Sequence, residues 1–140
     1  MFTKPGRETF AAQPDIDAIL AMKQVAVVGL SSDPSRPSND VARYLQRHGY
    51  EIIPINPTET EILGERAYAS LSDLPEPPEV VDVFRRPEYV AAVVDEAIKV
   101  GVKAIWLQLG VIDEAAALKA RQAGLLVVMD RCMKVEHAIR

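Results

Sequence analysis

Five short runs of apolar residues dominate the pattern along the chain, and they predict the strands of a parallel sheet. Each run is rich in valine, isoleucine or leucine and shows little of the alternation of apolar and polar residues that is typical of a strand with one solvent-exposed face. Strands that are covered by helices on both faces have this composition. The predicted strands are residues 25–30, 51–55, 80–84, 104–109 and 125–129.

Helical periodicity separates most of these strands. In the first crossover, Val41, Tyr44, Leu45 and His48 recur at the spacing of one helix face, and a glycine follows them. Proline near a first turn, aspartate before a helix and glycine after it mark the other boundaries. The predicted helices are residues 38–48, a segment from Pro87 to Gly101, residues 114–122 after Asp113, a short helix around 16–20 and a last turn beyond Arg131.

The second crossover, residues 57–79, breaks this pattern. It carries Pro57, Pro75, Pro77 and Pro78 and no long helical stripe. We expect an irregular loop with a short helical turn, which leaves that face of the sheet thinly covered. Elsewhere the strands alternate with helices, which predicts an α/β fold with right-handed connections. The expected architecture is an open parallel five-stranded sheet with helices on both faces.

Size and charge narrow the class of protein. A chain of 140 residues fits one domain, residues 1–140, and the net charge of −4 disfavours a general nucleic-acid binder, which needs a basic surface. The single cysteine excludes an internal disulfide. No apolar run reaches the ~18 residues of a membrane span, and the first residues lack the apolar core of a signal peptide. We therefore expect a cytoplasmic protein with no membrane or nucleic-acid partner.

Polar residues gather where the predicted strands end, which is the edge at which open α/β sheets bind ligands. The first strand ends on Gly29-Leu30-Ser31, and the loop continues through Arg36 to Ser38 at the start of a helix. A glycine here permits a sharp turn or the close approach of a ligand. Serine hydroxyls and free N–H groups at a helix start suit phosphate. A solvated turn that only caps the helix is the alternative interpretation.

The ends of the next two strands bear on which nucleotide is bound. An NAD site needs further glycines in the first loop and an acidic residue about 20 residues later, where this chain has Asn56-Pro57. The NAD hypothesis loses support, although Asn56 can bond a ribose or adenine, or simply begin a turn. Arg85 and Arg86 follow the third strand. Their position favours phosphate contact over a solvated surface pair.

Groups suited to catalysis are scarce. His48 lies at a predicted helix end, where capping or packing is expected in preference to base catalysis. Cys132 follows Asp130-Arg131, and although the neighbouring cation can activate a thiol, no histidine is placed to act as its base. We favour a packed, inert cysteine and assign no catalytic or metal site. A binding module is expected, and not an enzyme.

Six segments in order resemble the small single-domain CoA-binding proteins, which are similar to the CoA-binding domain of the succinyl-CoA synthetase α subunit. Each segment is weak evidence alone, but their order and spacing are specific. The resemblance runs from about residue 16 to about residue 137. The segments are Val27-Val28-Gly29-Leu30-Ser31, residues 49–57, Ile62-Leu63-Gly64-Glu65, Val81-Asp82-Val83-Phe84-Arg85, residues 105–110 and Val128-Met129-Asp130-Arg131-Cys132.

The resemblance implies a Rossmann-like fold in which the glycine-serine loop holds the diphosphate of CoA or an acyl-CoA. The segments after the second and third strands would contact the adenosine. Gln108 and Gly110 would lie toward the pantetheine arm. Ligase activity is not implied, because the second domain and partner subunit of the synthetase are not expected here. The implied CoA-binding residues are Gly29, Ser31, Ser32, Arg36, Ser38, Asn56, Pro57, Val83, Phe84, Arg85, Arg86, Gln108 and Gly110.

Two other functions compete with CoA binding. One is an NAD(P)-dependent oxidoreductase, in which Arg85 and Arg86 accept a 2′-phosphate. The other is an interaction module that docks onto a larger acyl-CoA enzyme through residues 57–79, so a protein partner stays open. A panel of nucleotide ligands separates the first alternative from CoA binding, and a pull-down tests the second.

Overall fold

The computed structural model describes residues 10–140 of the chain. In this part, helices flank a five-stranded parallel sheet, and a two-stranded antiparallel hairpin lies beside it. The elements in chain order are α1 (Gln13–Leu20), β1 (Gln24–Val28), α2 (Pro37–Arg47), β2 (Glu51–Ile55), β3 (Glu61–Ile62), β4 (Glu65–Arg66), a 3₁₀ turn (Leu71–Asp73), β5 (Val80–Val83), α3 (Pro87–Val100), β6 (Ala104–Leu107), α4 (Glu114–Gln122), β7 (Leu126–Met129) and α5 (Met133–Ala138).

The sheet has the strand order β2-β1-β5-β6-β7. From β1 the chain first adds β2 on one side and then builds β5, β6 and β7 on the other, so the strand order reverses between β1 and β5. One hydrophobic core packs α3 and α4 against the sheet, and a second core packs α1, α2 and α5 against the opposite face. The predicted Rossmann-like α/β fold with helices on both faces is confirmed.

Register across the central strands decides which side chains share a face. Val27, Asp82, Trp106 and Val128 are lateral partners in successive strands, and their row faces α1, α2 and α5 because the three apolar members belong to that core. Side chains alternate along a strand, so the residues two positions further on point to the same face. The next row toward the carboxyl ends therefore contains Phe84. Asp82 therefore lies one row beneath the binding edge.

The predicted strand boundaries hold within two residues, whereas the helix predicted around 16–20 begins earlier, at Gln13. The strand at 51–55 is correct, whereas β1 ends at Val28 because Gly29 turns the chain with φ of 85°. The side chain of Asp113 accepts a hydrogen bond from the Ala116 N–H at 3.0 Å, which confirms it as the N-cap of α4. His48 Nδ1 lies 2.7 Å from the carbonyl oxygen of Tyr44, so this histidine caps the end of α2 as expected.

The prediction that residues 57–79 leave a face of the sheet thinly covered is wrong. Tyr68 pairs in parallel with Ile55 at the free edge of β2, where its N–H donates to Pro54 and its carbonyl accepts from Asn56. Ile62 in the hairpin and Leu71 in the 3₁₀ turn are buried in the two cores. The expected helical turn is present, but the segment packs against the sheet. The docking hypothesis therefore lacks the exposed sheet face on which it depended.

Among residues 10–140, no helix combines the length and apolar character that crossing a membrane requires.

Candidate functional site

The strand order reverses between β1 and β5, and the loops that follow these two strands make a very close contact. A side-chain carbon added to Gly29 would lie 2.2 Å from the carbonyl oxygen of Phe84, well inside the van der Waals limit. The glycine at this position is therefore required both by its positive φ and by the neighbouring loop. The close approach that the sequence suggested is made by the protein's own backbone.

Hydrogen bonds within the loop after β1 fix its shape. The Ser31 N–H donates to Ser38 Oγ at 3.0 Å, and the Asn39 amide donates to the Ser31 carbonyl at 2.8 Å. Asp33 accepts bonds from the Ser35 N–H and hydroxyl, which lower the pKa of its carboxyl. Because these bonds already order the loop, a ligand would not need to organise it on binding.

A cavity of about 630 Å³ opens beside this loop, on the face that carries α2 and α5. We name it the first cavity. Ser31, Arg36 and Ser38 give it a polar end, while Val41 and Val111 contribute apolar wall. Its lining residues are Gly29, Ser31, Arg36, Pro37, Ser38, Val41, Phe84, Gln108, Leu109, Val111 and Cys132.

Arg36 is the cation of the first cavity. It precedes Pro37 at the start of α2, and it makes no ion pair with any residue in the range 10–140. Its charge contributes to lowering the pKa of Asp33, after the bonds from Ser35. An exposed guanidinium without an ion-pair partner, beside serine hydroxyls, suits a phosphate oxygen.

A second cavity of about 320 Å³ lies on the opposite face of the sheet, against α3. The Arg85 guanidinium stacks on the Tyr89 ring, 4.6 Å from its centroid, and both side chains line this cavity. Arg85 also reaches the contact between the two loops, because its Cδ would lie 3.2 Å from a side-chain carbon on Gly29. The lining residues are Val28, Ile55, Pro57, Ala69, Ser70, Arg85, Tyr89, Ala92, Val93 and Glu96.

The structure brings eight of the predicted residues to these cavities. The first cavity holds Gly29, Ser31, Arg36, Ser38, Phe84 and Gln108. The second holds Pro57 and Arg85. Phe84 was placed with the adenosine by the resemblance, yet it lies in the first cavity, because residue 84 shares the sheet face of Asp82 and Arg85 shares the other.

Asn56 and Ser32 have structural partners in place of a position in either cavity. Asn56 Nδ2 donates to the Leu30 carbonyl at 2.9 Å, while Oδ1 accepts from Thr58 and from the Glu59 N–H. This amide ties the end of β2 to the end of β1 and begins the turn that follows β2. Ser32 Oγ donates to Glu59 Oε1 at 2.8 Å on the exposed side of the loop.

Three further predicted residues line neither cavity. Val83 is fully buried in the core beneath α3 and α4, so no ligand reaches its side chain. Arg86 is 80% exposed and lies 4.0 Å from Glu88, which makes it the solvated surface arginine of the pair. The Gly110 N–H donates to Asp130 at 2.8 Å and joins the loops after β6 and β7.

The sequence did not predict several residues that line the first cavity or the second. Pro37, Val41, Leu109 and Val111 contribute to the first, and Tyr89 to the second. Leu109 gave no signal in the sequence, since its unusual feature, a large apolar side chain that is 70% exposed just after β6, is visible only in the structure. Cys132 was expected to be packed and inert, but it is only half-buried and lines the first cavity.

Buried polar atoms without partners lie beneath this edge. Asn39 Oδ1 and both carboxyl oxygens of Asp82 have no hydrogen-bond partner among the described residues. Asp82 is fully buried, and burial raises its pKa well above the ordinary value of 3.8. Burial therefore favours the neutral form of this carboxyl.

Comparison with known proteins finds relatives that match most of this chain. The protein YneT of Bacillus subtilis is 43% identical over 117 residues, which are 84% of this chain and 87% of that protein. A solved hypothetical protein from Pyrococcus horikoshii superposes with a TM-score of 0.88 at 40% identity and covers 99% of this chain and 97% of its own.

A larger enzyme contains a related segment. An ADP-forming acetate–CoA ligase of Archaeoglobus fulgidus is 28% identical over 92 residues, which are 64% of this chain but 14% of the ligase. The sequence profile of the CoA binding domain matches residues 23–138, which span both cavities and every strand of the sheet. The chain therefore belongs to the family of CoA-binding domains.

Proposed function

We propose that this protein binds CoA or an acyl-CoA across its two cavities, as a binding module with no catalysis of its own. The observation that carries the proposal is the pair of cavities on opposite faces of one sheet edge, which lie on either side of the contact between Gly29 and Phe84. A ligand that consists of two unlike arms joined by a diphosphate fits such a site.

The two cavities differ in the chemistry that they offer. Arg85 and Tyr89 in the second cavity present a planar cation and an aromatic ring, which suit adenine and ribose phosphate. The first cavity offers Ser31, Ser38 and Arg36 for phosphate, and its apolar wall suits a pantetheine arm. In the proposed complex the diphosphate lies near Gly29, between the two cavities.

The charge distribution supports a local anion site. The chain has a net charge of −4, so the whole molecule repels a polyanion such as CoA. Arg36 and Arg85 are placed on either side of the loop contact, where they offset this repulsion. Binding should therefore weaken as salt is added, because ions screen the contacts between exposed charges.

An NAD(P)-dependent oxidoreductase is supported less well. At the end of β2 the amide of Asn56 is engaged by Leu30 and Thr58, and the nearest carboxylate, Glu59, accepts a bond from Ser32. The strand end itself carries an amide, Asn56, and not the carboxylate that accepts hydrogen bonds from the ribose hydroxyls of NAD. Arg85 offers charge for a 2′-phosphate, so NADP belongs in the ligand panel.

Calorimetric titration with CoA, acetyl-CoA, NAD and NADP tests the proposal. Arg36→Gln and Arg85→Gln should each weaken CoA binding by about 1.5–3 kcal/mol, the range for hydrogen bonds to charged groups. Lys99→Gln is the matched control, because Lys99 is exposed near the end of α3, at the other edge of the sheet. Equal affinity for NAD and CoA, or no heat with CoA, would contradict the proposal, and turnover of acetyl-CoA would contradict its non-catalytic part.

A further inference from the structure

We propose that Cys132 and Gln108 form a thiol-exchange end of the first cavity, at which the protein takes up CoA from a CoA disulfide as a Cys132–CoA mixed disulfide. This proposal rests on the proposed binding of CoA and adds a covalent, redox-dependent form of the same complex. It assigns a role to the chain's one cysteine, which the binding site alone does not require.

The side chain of Gln108 is the first observation. It is 96% buried, as only 4% of its surface is exposed, yet it lines the first cavity. Its Oε1 accepts the Met133 N–H at 3.1 Å. Its Nε2 has no hydrogen-bond partner among the described residues, and it is not completely enclosed by the protein. Because this side chain lines the first cavity, the Nε2 donor is open to that cavity. A buried amide donor that is left open to a cavity calls for an acceptor on a ligand.

The second observation is the place of Cys132. It precedes Met133, to which Gln108 is bonded, so the thiol and the amide come together on one wall of the cavity. The Trp106 indole N–H donates to the Arg131 carbonyl at 2.8 Å and anchors the residue before the cysteine to β6. The thiol is therefore half-buried and held in place, and it faces the space assigned to the ligand.

The direction of the ligand places its thiol near this wall. Three strand spacings separate β1, whose loop carries Ser31, from β7, whose loop carries Cys132, and they amount to about 14 Å. An extended pantetheine arm is of comparable length. With the diphosphate near Gly29, the amide groups of the arm pass along the row that contains Gln108 and bring the CoA sulfur toward Cys132.

The chemistry is a thiol–disulfide exchange. The Cys132 thiol releases its proton to solvent, and the thiolate attacks one sulfur of CoA disulfide. A new sulfur–sulfur bond forms between Cys132 and that CoA, while the bond between the two CoA sulfurs breaks. The second CoA leaves as a thiolate and takes up a proton. One disulfide is consumed and one is formed, so no other oxidant is needed, and a reducing thiol reverses the step.

Intact-mass spectrometry measures the exchange directly. The wild-type protein should gain one CoA less two hydrogens from CoA disulfide, about tenfold faster than it gains glutathione from glutathione disulfide, because binding raises the local concentration of the reacting sulfur. Gln108→Glu keeps the acceptor for the Met133 N–H but removes the donor that faces the cavity. We expect this variant to lose most of the preference for CoA disulfide.

A relocated thiol is the matched control. The double variant Cys132→Ser, Ala123→Cys carries its one thiol on an exposed site at the end of α4. It should react with both disulfides without preference. Equal rates for the two disulfides in the wild type, or the same preference in the relocated variant, would overturn the proposal. Titration of CoA into the reduced wild type separates the two failures, because binding without exchange rejects only the covalent step, and absence of both rejects the CoA site.

Discussion

Gly29 is the residue on which the shape of the candidate site depends most. It has φ of 85° and faces the Phe84 carbonyl at a distance that leaves no room for a side chain. Gly49 has nearly the same φ, 88°, but open space around it. Comparing the same substitution at the two glycines therefore separates the energetic cost of the backbone conformation from that of the loop contact.

Gly29→Ala should destabilise the fold more than Gly49→Ala. The left-handed conformation costs about 1–2 kcal/mol at either site. Overpacking against Phe84 adds roughly 1–3 kcal/mol at Gly29 only. Urea denaturation of both variants measures the difference in the free energy of unfolding. If the two variants lose the same stability, the loops can separate freely, and the contact between β1 and β5 does not fix the site.

Asp82 should make stability fall as pH rises. Burial raises its pKa in the folded protein above the ordinary value of 3.8, so the folded state holds a proton that the unfolded chain releases. Its contribution is fully present below pH 3.8 and is lost as the pH climbs toward the raised value. Asp82→Asn removes this titration, so the stability of the variant relative to wild type should increase across that window. Parallel stability curves from denaturation at stepped pH would contradict the assignment.

The helices and strands were predictable because each carries its own signal. The stripe of α2, the Asp113 cap of α4 and the continuous apolar strands are local features of the sequence. The β3–β4 hairpin was missed because its strands have two residues each and its turn places Leu63 as well as Gly64 at positive φ, which apolar residues rarely adopt. Short pairings of this kind depend on the β2 edge against which they pack.

The candidate site was predictable in position more than in detail. Strand ends locate the edge, which is why Ser31, Arg36 and Gln108 were found. Whether Arg85 or Arg86 reaches a cavity depends on which face of the sheet each side chain meets, and adjacent residues take opposite faces. The partners of Asn56 lie on a different loop from the asparagine itself. Sequence spacing does not specify such long-range partners.

The cap of α4 offers a test at the scale of one element. Asp113→Ala removes the acceptor for the Ala116 N–H and should lower the free energy of unfolding by about 0.5–2 kcal/mol. Asp113→Asn keeps an acceptor and should cost much less. Glu114→Ala is the neighbouring control, because Glu114 is exposed in the same first turn and does not cap the helix. Equal losses for Asp113→Ala and Asp113→Asn would show that charge, and not the cap, stabilises this end.

At the scale of the whole molecule, two cavities flank the sheet edge, and residues from several elements line each of them. The loops after β1 and β5 separate them, α2 and α5 flank the first, and α3 flanks the second. If one ligand occupies both, a change in either cavity must weaken the same complex. A fragment that fills only the second cavity must be insensitive to changes in the first.

Tyr89 and Leu109 allow this division to be tested, because both are exposed and each lines one cavity. Tyr89→Ala should weaken CoA and adenosine 3′,5′-bisphosphate by similar amounts, about 1–3 kcal/mol for a lost base-stacking surface. Leu109→Ala should weaken CoA by about 1–2 kcal/mol through lost apolar contact, and it should leave the bisphosphate unchanged. Calorimetric titration of both ligands into both variants gives the four values. If Leu109→Ala weakens the bisphosphate as much as CoA, the adenosine lies in the first cavity and the proposed direction of the ligand is reversed.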